Sequence, residues 1–228
     1  MILDNKVFHG DCIELMRKLP NNCVDFTLTD IPYDAVNRPS NGLRILHKGK
    51  ADEMTFDLQE FLSEVYRITA NSICIFCGKE QFSTIYKFFA EKNGTVRPII
   101  WEKTNPSPMN GAYVYLSGVE MGVWFKKRGG RCFNAQCKNT VFRYANGSSK
   151  LHPTEKNHRL LADLILDNTD ENDLVFDPCM GSGSHLTVAQ SLGRRFAGCE
   201  LDRDYYNLAK NRLFFEDMFA SNFQREVA

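Results

Sequence analysis

The stretch DLVFDPCMGSGSHLTVAQSLGRRFAGCELD, from Asp173 to Asp202, decides the fold class of this chain. DLVFDPC and RFAGCELD are short apolar runs typical of buried strands, and GSHLTVAQSLG between them is typical of a helix. Gly181 and Gly183 permit a tight turn where the first strand meets the helix. A strand, a turn, a helix and a second strand in this order predict a βαβ unit with parallel strands.

The rest of the chain repeats this alternation, which predicts an α/β domain with a largely parallel sheet. Further strands are predicted at VFHG (7–10), VDFTLTD (24–30), NSICIFC (71–77), VRPIIWEK (96–103) and GVEMGVWFKK (118–127). Further helices are predicted at CIELMRKLP (12–20), FDLQEFLSEVYRIT (56–69), EQFSTIYKFFAEKN (80–93), NHRLLADLILDNT (157–169) and RDYYNLAKNRLFFEDMF (203–219). Ligands of such sheets bind at the carboxyl ends of the strands.

Composition places the 228 residues among ordinary globular chains, with 43% hydrophobic and 25% charged residues and a net charge of +0. No apolar run is long enough for a membrane span, and the first residues do not resemble a signal peptide, so a cytoplasmic protein without a membrane partner is expected. A nucleic-acid site would need locally clustered charge, because the total is neutral.

The eight cysteines are expected to be free thiols in a reducing compartment rather than metal ligands. Cys74 and Cys77 lie in an apolar strand, where their odd spacing directs them to opposite faces. No second C-x-x-C completes a zinc site, and Cys132, Cys137 and His152 form the only other candidate group.

The glycine turn predicts a site for an adenosine-type ligand. Glu200 ends the next strand roughly twenty residues after Gly181, the position of an acid that accepts hydrogen bonds from ribose hydroxyls. A dinucleotide fingerprint would need a third glycine where Leu186 stands. Asp177 offers a carboxylate to an ammonium group, so S-adenosylmethionine fits better than NAD.

A second unusual stretch is FTLTDIPYD, Phe26 to Asp34, in which a strand ends in Asp30 and continues as Ile31-Pro32-Tyr33. Taken alone, this tetrad is also consistent with a plain turn.

Five motifs together resemble the beta group of DNA amino-methyltransferases. Asp30-Ile31-Pro32-Tyr33 is similar to the D-P-P-Y motif of this family, and HPTEKN (152–157) to its H-P-T-E-K-P motif. FDPCMGSGS (176–184) resembles the D-P-F-x-G-S-G cofactor loop, and GCELD (198–202) and GDCIELM (10–16) also have counterparts. The catalytic motif precedes the cofactor loop, which is the order of the beta group.

The resemblance implies a Rossmann-like methyltransferase fold, with helices on both faces of a mostly parallel sheet, and S-adenosylmethionine as cofactor. One domain is expected, with a catalytic half (1–125), a short basic recognition segment (126–151) and a cofactor half (152–228). The cofactor contacts that it implies are Asp11, Cys12, Asp30, Thr154, Lys156, Asp177, Cys179, Gly181, Ser182, Gly183, Glu200 and Leu201. Asp11 would take the adenine amino group, and Thr154 and Lys156 would approach the methionine end.

The implied chemistry is methyl transfer to an exocyclic amino group, whose lone pair is delocalised into the base. Hydrogen bonds from its protons to the Asp30 carboxylate and the Ile31 carbonyl would free that lone pair. Tyr33 would stack on a base flipped out of double-stranded DNA. Pro32 matches the second proline of the motif. Ile31 replaces the first proline, so the fixed φ of that proline is lost. Cys179 replaces an aromatic residue, and Asn157 a proline.

DNA contacts are predicted from the two polar, basic segments of the chain. The loop 34–53 would close over the flipped base, and the segment 126–150 would contact phosphates, which position DNA without reading its sequence. Because this segment is short, a short or degenerate target site is expected. A surface loop with incidental lysines is the alternative. The predicted contacts are Arg38, Arg44, Lys48, Lys126, Lys127, Arg128, Arg131, Lys138 and Arg143.

The leading functional hypothesis is a site-specific DNA methyltransferase acting on N6 of adenine, since an aspartate at the first tetrad position more often accompanies adenine in the family. N4 of cytosine is the alternative base. An RNA, protein or small-molecule methyltransferase and a non-catalytic nucleic-acid binder are the other classes. The family implies a homodimer as one arrangement, and the sequence leaves restriction-modification, phage protection and regulation open as biological roles.

Overall fold

The computed structural model describes residues 3–33, 54–108, 111–131, 133–146 and 156–213. The described strands are β1 (Lys6–His9), β2 (Val24–Asp30), β3 (Thr69–Cys77), β4 (Gly94–Lys103), β5 (Val119–Lys127), β6 (Val141–Tyr144), β7 (Leu174–Asp177) and β8 (Arg195–Glu200). The helices are α1 (Cys12–Arg17), α2 (Leu58–Ile68), α3 (Lys79–Ala90), α4 (His158–Asn168) and α5 (Ser184–Ser191), and residues 203–213 are also helical.

The described strands form one eight-stranded sheet in the order β1-β8-β7-β2-β3-β5-β4-β6. All neighbours are parallel except the pairs that β5 makes with β3 and β4, so β5 alone runs against the rest. This is the mostly parallel α/β architecture that the sequence predicts.

Strand direction defines two edges of the sheet. At the carboxyl edge β2, β7 and β8 end in Asp30, Asp177 and Glu200. At the amino edge these strands begin. Because β5 is antiparallel, Val119 lies at the carboxyl edge and Lys127 at the amino edge, where it pairs with Gly94 at the start of β4.

Helices cover both faces of the sheet, as expected, and each face has its own apolar core. Alternate residues of a strand point to opposite faces. On one face, Ile73 and Ile75 pack with buried residues of α1, α2 and α3. On the other, Cys74 and Phe76 pack with residues of α4 and α5. Cys74 and Cys77 belong to different cores, which confirms their predicted orientation.

Local sequence explains where the helices begin. Asp57 caps α2 by accepting a hydrogen bond from the Glu60 amide at 2.8 Å, and the helix buries Phe61, Leu62, Val65 and Ile68 along one face. Asp11 caps α1 in the same way, through the Glu14 amide at 3.0 Å. The N-cap residue of α5 is Gly183, which has a φ of 81°.

The segment 126–151, which is predicted as a recognition segment, contains strand β6, which pairs in parallel with β4 and buries Phe142. The last predicted helix is described over residues 203–213, and its remainder lies outside the described residues. No described helix is long and apolar enough to cross a membrane.

Candidate active site

The Asp30 tetrad lies at the carboxyl edge, where β2 ends beside β3. The Ile31 amide donates to the Phe76 carbonyl at 3.1 Å, so the backbone stays fixed to β3 for one residue beyond the strand. Gln81, which is buried, donates from Nε2 to the Pro32 carbonyl at 2.8 Å. These two hydrogen bonds hold the tetrad backbone without the first proline of the family motif.

Both oxygens of the Asp30 carboxylate have donors. The Tyr33 hydroxyl donates to Oδ1 at 2.7 Å, and the Lys156 ammonium donates to Oδ2. A carboxylate offers about four lone-pair positions, so roughly two of them stay available to a further donor. Asp30 is therefore oriented from two sides and retains acceptor capacity.

Lys156 is the centre of a buried charge network. Its side chain is 4% exposed, and its Nζ lies 3.2 Å from the Tyr33 hydroxyl and 2.9 Å from Glu120 Oε2. The ammonium also lies 5.1 Å from the centre of the Phe76 ring. Burial alone would lower the pKa of Lys156, but Asp30, Tyr33 and Glu120 raise it well above its usual range. The lysine is thus cationic, and it contacts Asp30 directly.

Glu120 is the second anion of the network and comes from β5. Lys103, at the end of the neighbouring strand β4, lies 2.6 Å from Glu120 Oε1. Burial alone would raise the pKa of Glu120, yet the charges of Lys156 and Lys103 outweigh it and lower the pKa from 4.5 to about 2. Asp30, Lys156, Glu120 and Lys103 thus form a row of alternating charge.

Tyr33 is held next to this row as a neutral donor. Burial and the adjacent Asp30 carboxylate raise the pKa of Tyr33 well above its usual range. Because the hydroxyl stays protonated at neutral pH, it donates a hydrogen bond to Asp30.

The glycine turn after β7 has backbone conformations that L side chains rarely adopt. Gly181 has a φ of 52°, and Gly183 one of 81°. A Cβ on Gly183 would lie 3.0 Å from the Cβ of Ala209, so a side chain would be crowded as well as strained. Ser182 is buried, and its Oγ accepts from Arg212 at 3.2 Å. The predicted turn is present in the described structure.

Asp177 differs from the prediction in its partners. Its side chain is 1% exposed, and Oδ1 accepts from the Thr29 hydroxyl at 2.7 Å and from the Cys179 amide at 3.0 Å. Oδ2 lies 2.5 Å from Nδ1 of His185. The carboxylate is turned into the protein, so its geometry supports the turn rather than a direct contact with an ammonium group.

Glu200 keeps acceptor capacity on both oxygens of its carboxylate. Oε2 accepts from the Gly181 amide at 2.9 Å and Oε1 from the Asp202 amide at 2.8 Å, which leaves about one lone pair on each oxygen. Burial raises the pKa of Glu200. Leu201 beside it is half-exposed and offers an apolar surface.

The first predicted cofactor residues lie next to Glu200. The Gly10 amide donates to the Glu200 carbonyl at 2.9 Å, which places Asp11 and Cys12 beside the end of β8. A hydrogen bond with Cys12, together with burial, raises the pKa of the Cys179 thiol well above its usual range. The structure thus brings Asp11, Cys12, Cys179, Gly181 and Glu200 together, whereas Thr154 lies outside the described residues.

The predicted DNA-binding residues are divided between the two edges. Lys126 and Lys127 lie at the amino edge, opposite Thr95 and Gly94 at the start of β4. Arg128 follows them there, since its amide donates to the Asn93 carbonyl. The physical reason is the reversed direction of β5, which carries the chain away from Asp30. Arg38, Arg44 and Lys48 lie outside the described residues.

Several of these cations already have partners in the protein. Arg131 pairs with Asp25 at 3.1 Å and Asp173 at 3.2 Å, and Lys138 pairs with Asp167 at 2.9 Å. Burial lowers the pKa of Lys127 to about 8. In the described structure Arg131 and Lys138 are therefore engaged in ion pairs within the protein.

Arg143 differs from the amino-edge cations in its position in the sheet. It pairs with Glu102 near the end of β4, which places it towards the carboxyl edge, and its side chain is 72% exposed. One predicted cation of the described segment thus lies on the same side of the sheet as Asp30.

Sequence reasoning missed four residues of this site: Lys103, Glu120, Gln81 and His185. Glu120 carried one available signal, because it is the one acid in the otherwise apolar and basic strand GVEMGVWFKK. An acid in a strand between buried neighbours indicates a nearby cation.

Comparisons with a family model and with individual proteins identify the same family. The sequence model of a family described as DNA methylase matches residues 24–211. YubD of Escherichia coli (strain K12), named as a methylase, is 30% identical over 215 residues, covering 92% of this chain and 90% of that protein. The type II methyltransferase M.HinfI of Haemophilus influenzae is 26% identical over 245 residues, covering 92% of this chain and 68% of that protein.

Solved structures agree with this result. The crystal structure of the M1.HpyAVI–SAM complex has a TM-score of 0.70 at 28% identity, covering 91% of this chain and 98% of that one. PvuII DNA methyltransferase, described as cytosine-N4-specific, has a TM-score of 0.71 at 18% identity, with 91% and 86% covered. At that identity the likeness concerns the fold alone.

Proposed function

The chain belongs to the DNA methylase family, the S-adenosylmethionine-dependent DNA amino-methyltransferases, and on this premise we propose that it methylates the N6 amino nitrogen of adenine in DNA. The observation that carries the proposal is the position of Asp30. It lies, oriented by Tyr33 and Lys156, at the same edge of the sheet as the glycine turn and Glu200.

The residues around the glycine turn fit S-adenosylmethionine, which when bound supplies a methyl group on a cationic sulfonium. The two remaining lone pairs of Glu200 suit the two hydroxyls of a ribose. Gly181 and Gly183 let the backbone approach a ligand closely. Asp11, Cys12, Cys179, Ser182 and Leu201 complete the proposed cofactor site, with Asp177 supporting the turn from within.

Asp30 and Ile31 are proposed to act on the target base. Two hydrogen bonds from the exocyclic amino group, to the Asp30 carboxylate and the Ile31 carbonyl, draw its nitrogen towards tetrahedral geometry and free the lone pair. The Lys156 ammonium orients the carboxylate through its contact with Oδ2. Tyr33, whose hydroxyl is fixed to Asp30, offers its ring to a base flipped out of the duplex.

DNA is proposed to approach the carboxyl edge. The connection between β4 and β5 lies at this edge and carries Tyr113 and Tyr115, which are 89% and 103% exposed. Exposed aromatic rings stack on bases, and Arg143 offers a phosphate contact nearby. The amino-edge cations Lys126, Lys127, Arg128 and Arg131 are not part of this proposal.

Adenine is preferred to cytosine because of the aspartate at the first tetrad position, as the family resemblance implies. N4 of cytosine is the second candidate, since a planar amino group on a pyrimidine suits the same two acceptors.

The test is methyl transfer from radiolabelled S-adenosylmethionine to DNA, RNA and cell protein, followed by digestion of the DNA to nucleosides and mass spectrometry. N6-methyladenine is the expected product, and Asp30→Ala serves as the inactive control. N4-methylcytosine as the product would assign the base to cytosine, and label confined to RNA or protein would overturn the proposal.

A further inference from the structure

We propose that Glu120 is a positioning residue for methyl transfer, because it shares the Lys156 ammonium with Asp30 and so holds Asp30 ready for the amino group of the base. This inference rests on the proposed function. It assigns a role to a half-buried carboxylate that the methyl-transfer chemistry itself does not need.

The fold places Glu120 beside the tetrad from an independent strand. β5 pairs with β3, and Gly122 of β5 lies opposite Phe76, the residue that pairs with Asp30 on the other side of β3. Glu120 lies two residues further towards the carboxyl edge. Its Oε2 is 2.9 Å from Lys156 Nζ, and Lys103 fixes its Oε1 at 2.6 Å.

The contact between Glu120 and Lys156 is one of charge. Oε2 lies 2.9 Å from the ammonium nitrogen, and this contact lowers the pKa of Glu120. A charge contact around a buried ammonium is weakly screened, so it persists where water is excluded. Glu120 therefore attracts the same ammonium that contacts Asp30.

Sharing the ammonium matters for Asp30. Without Glu120, the buried Lys156 would have one carboxylate partner and would direct its whole charge at Asp30. An acceptor bound so tightly to a cation is a weaker acceptor for a neutral amino group, whose protons compete for the same oxygen. With Glu120 present, Asp30 keeps its orientation and the lone pairs that the base requires.

Lys103 affects Lys156 and Asp30 indirectly in this arrangement, because its described ion pair is with Glu120, which in turn contacts Lys156. Lys103 lies close to the Trp101 ring and is paired with Glu120 in the described structure. Removing Lys103 should thus matter only while Glu120 is present.

The experiment is a double-mutant cycle with Glu120→Gln, Lys103→Met and the double variant, measured by single-turnover methyl transfer to DNA. We expect Glu120→Gln to lower the rate about tenfold or more, Lys103→Met to lower it less, and the double variant to match Glu120→Gln. S-adenosylmethionine affinity, measured by calorimetry, should change by less than about twofold in each, since Glu120 does not face the ribose site.

Controls separate positioning from folding. Glu120→Asp keeps the charge and should recover most of the rate. Glu60 on α2 forms an exposed ion pair with Arg17 at the end of α1. Glu60→Gln removes this ion pair by the same kind of substitution and should leave the rate unchanged. Thermal unfolding of every variant shows whether it is folded.

The outcomes decide the inference separately from the function. The positioning role is overturned if wild-type protein transfers methyl groups and folded Glu120→Gln does so equally fast. It is also overturned if the rate loss in the double variant equals the product of the rate losses in the two single variants. If wild-type protein transfers no methyl group to DNA, the proposed function fails. In that case ¹⁵N NMR of the Lys156 ammonium still tests the contact: a slowly exchanging signal should disappear in Glu120→Gln, and an unchanged signal would overturn the inference.

Discussion

Asp30 is the residue on which the chemistry depends, and removing its carboxylate should stop methyl transfer. Asp30→Ala deletes one of the two acceptors for the amino group, so we expect a rate loss of about a thousandfold, the scale seen when an oriented electrostatic group is removed. Single-turnover transfer to DNA measures it. S-adenosylmethionine affinity should stay nearly unchanged, and a variant that retains most of the wild-type rate would contradict the mechanism.

Glu200 is expected to bind the cofactor rather than the base. Glu200→Ala removes the acceptors for the ribose hydroxyls and also the partner of the Gly181 amide. Two lost hydrogen bonds to a charged group correspond to roughly 3–6 kcal/mol, so the dissociation constant should rise at least about a hundredfold. Calorimetry measures it, with the exposed Glu91→Ala as control. An unchanged constant would remove Glu200 from the proposed site.

The lowered pKa of Glu120 also predicts that the free energy of unfolding depends on pH. Its pKa is lowered from 4.5 to about 2 on folding, so its contribution is fully present above pH 4.5 and disappears as the pH falls towards 2. The shift corresponds to about 3 kcal/mol of free energy of unfolding. Urea unfolding of wild-type protein and Glu120→Gln should therefore differ most near pH 7 and converge as the pH falls to about 2. A difference independent of pH would argue against the ion pair.

At the scale of elements, the direction of β5 separates the two candidate DNA-binding surfaces. The connection between β4 and β5 emerges at the carboxyl edge, whereas the chain after β5 emerges at the amino edge. Elements that follow each other in the sequence thus lie on opposite sides of the sheet.

This difference can be tested with two matched double variants. Tyr113→Ser with Tyr115→Ser should weaken DNA binding about tenfold or more, on the scale of 1–3 kcal/mol for each stacked base. Lys127→Ala with Arg128→Ala should change it less than about twofold, because these residues lie at the amino edge. Fluorescence anisotropy with a duplex measures both. The reverse ranking would return the DNA site to the segment 126–150.

At the scale of the whole molecule, little of the described chain is free to read base edges. Between β5 and α4, the structure uses β6 to extend the sheet and commits Arg131 and Lys138 to ion pairs. We therefore expect a short or degenerate target site. Sequencing of modified bases in a host that expresses the protein measures this. One fixed site of six or more base pairs would contradict the expectation.

The sequence predicted most of the fold, for a local reason. Strand β2 was predicted with its observed bounds, and the other predicted elements differ from the structure mainly at their ends. Periodicity of apolar residues depends on neighbours a few positions away, so it can be read along the chain. The exception, β6, has four residues in a polar segment and depends on pairing with β4.

The sequence by itself determined the alternation of strands and helices, the glycine turn and the tetrad that follows β2, because each of these is written in adjacent residues. Only the tertiary structure decided the partners: Lys156 with Asp30 and Glu120, and Asp177 with His185 and Thr29. It also decided the edge to which β5 delivers its cations. Asp30 and Lys156 are 126 positions apart, and no local pattern specifies a charge contact over that distance. The packing of strands at one edge of the sheet creates it.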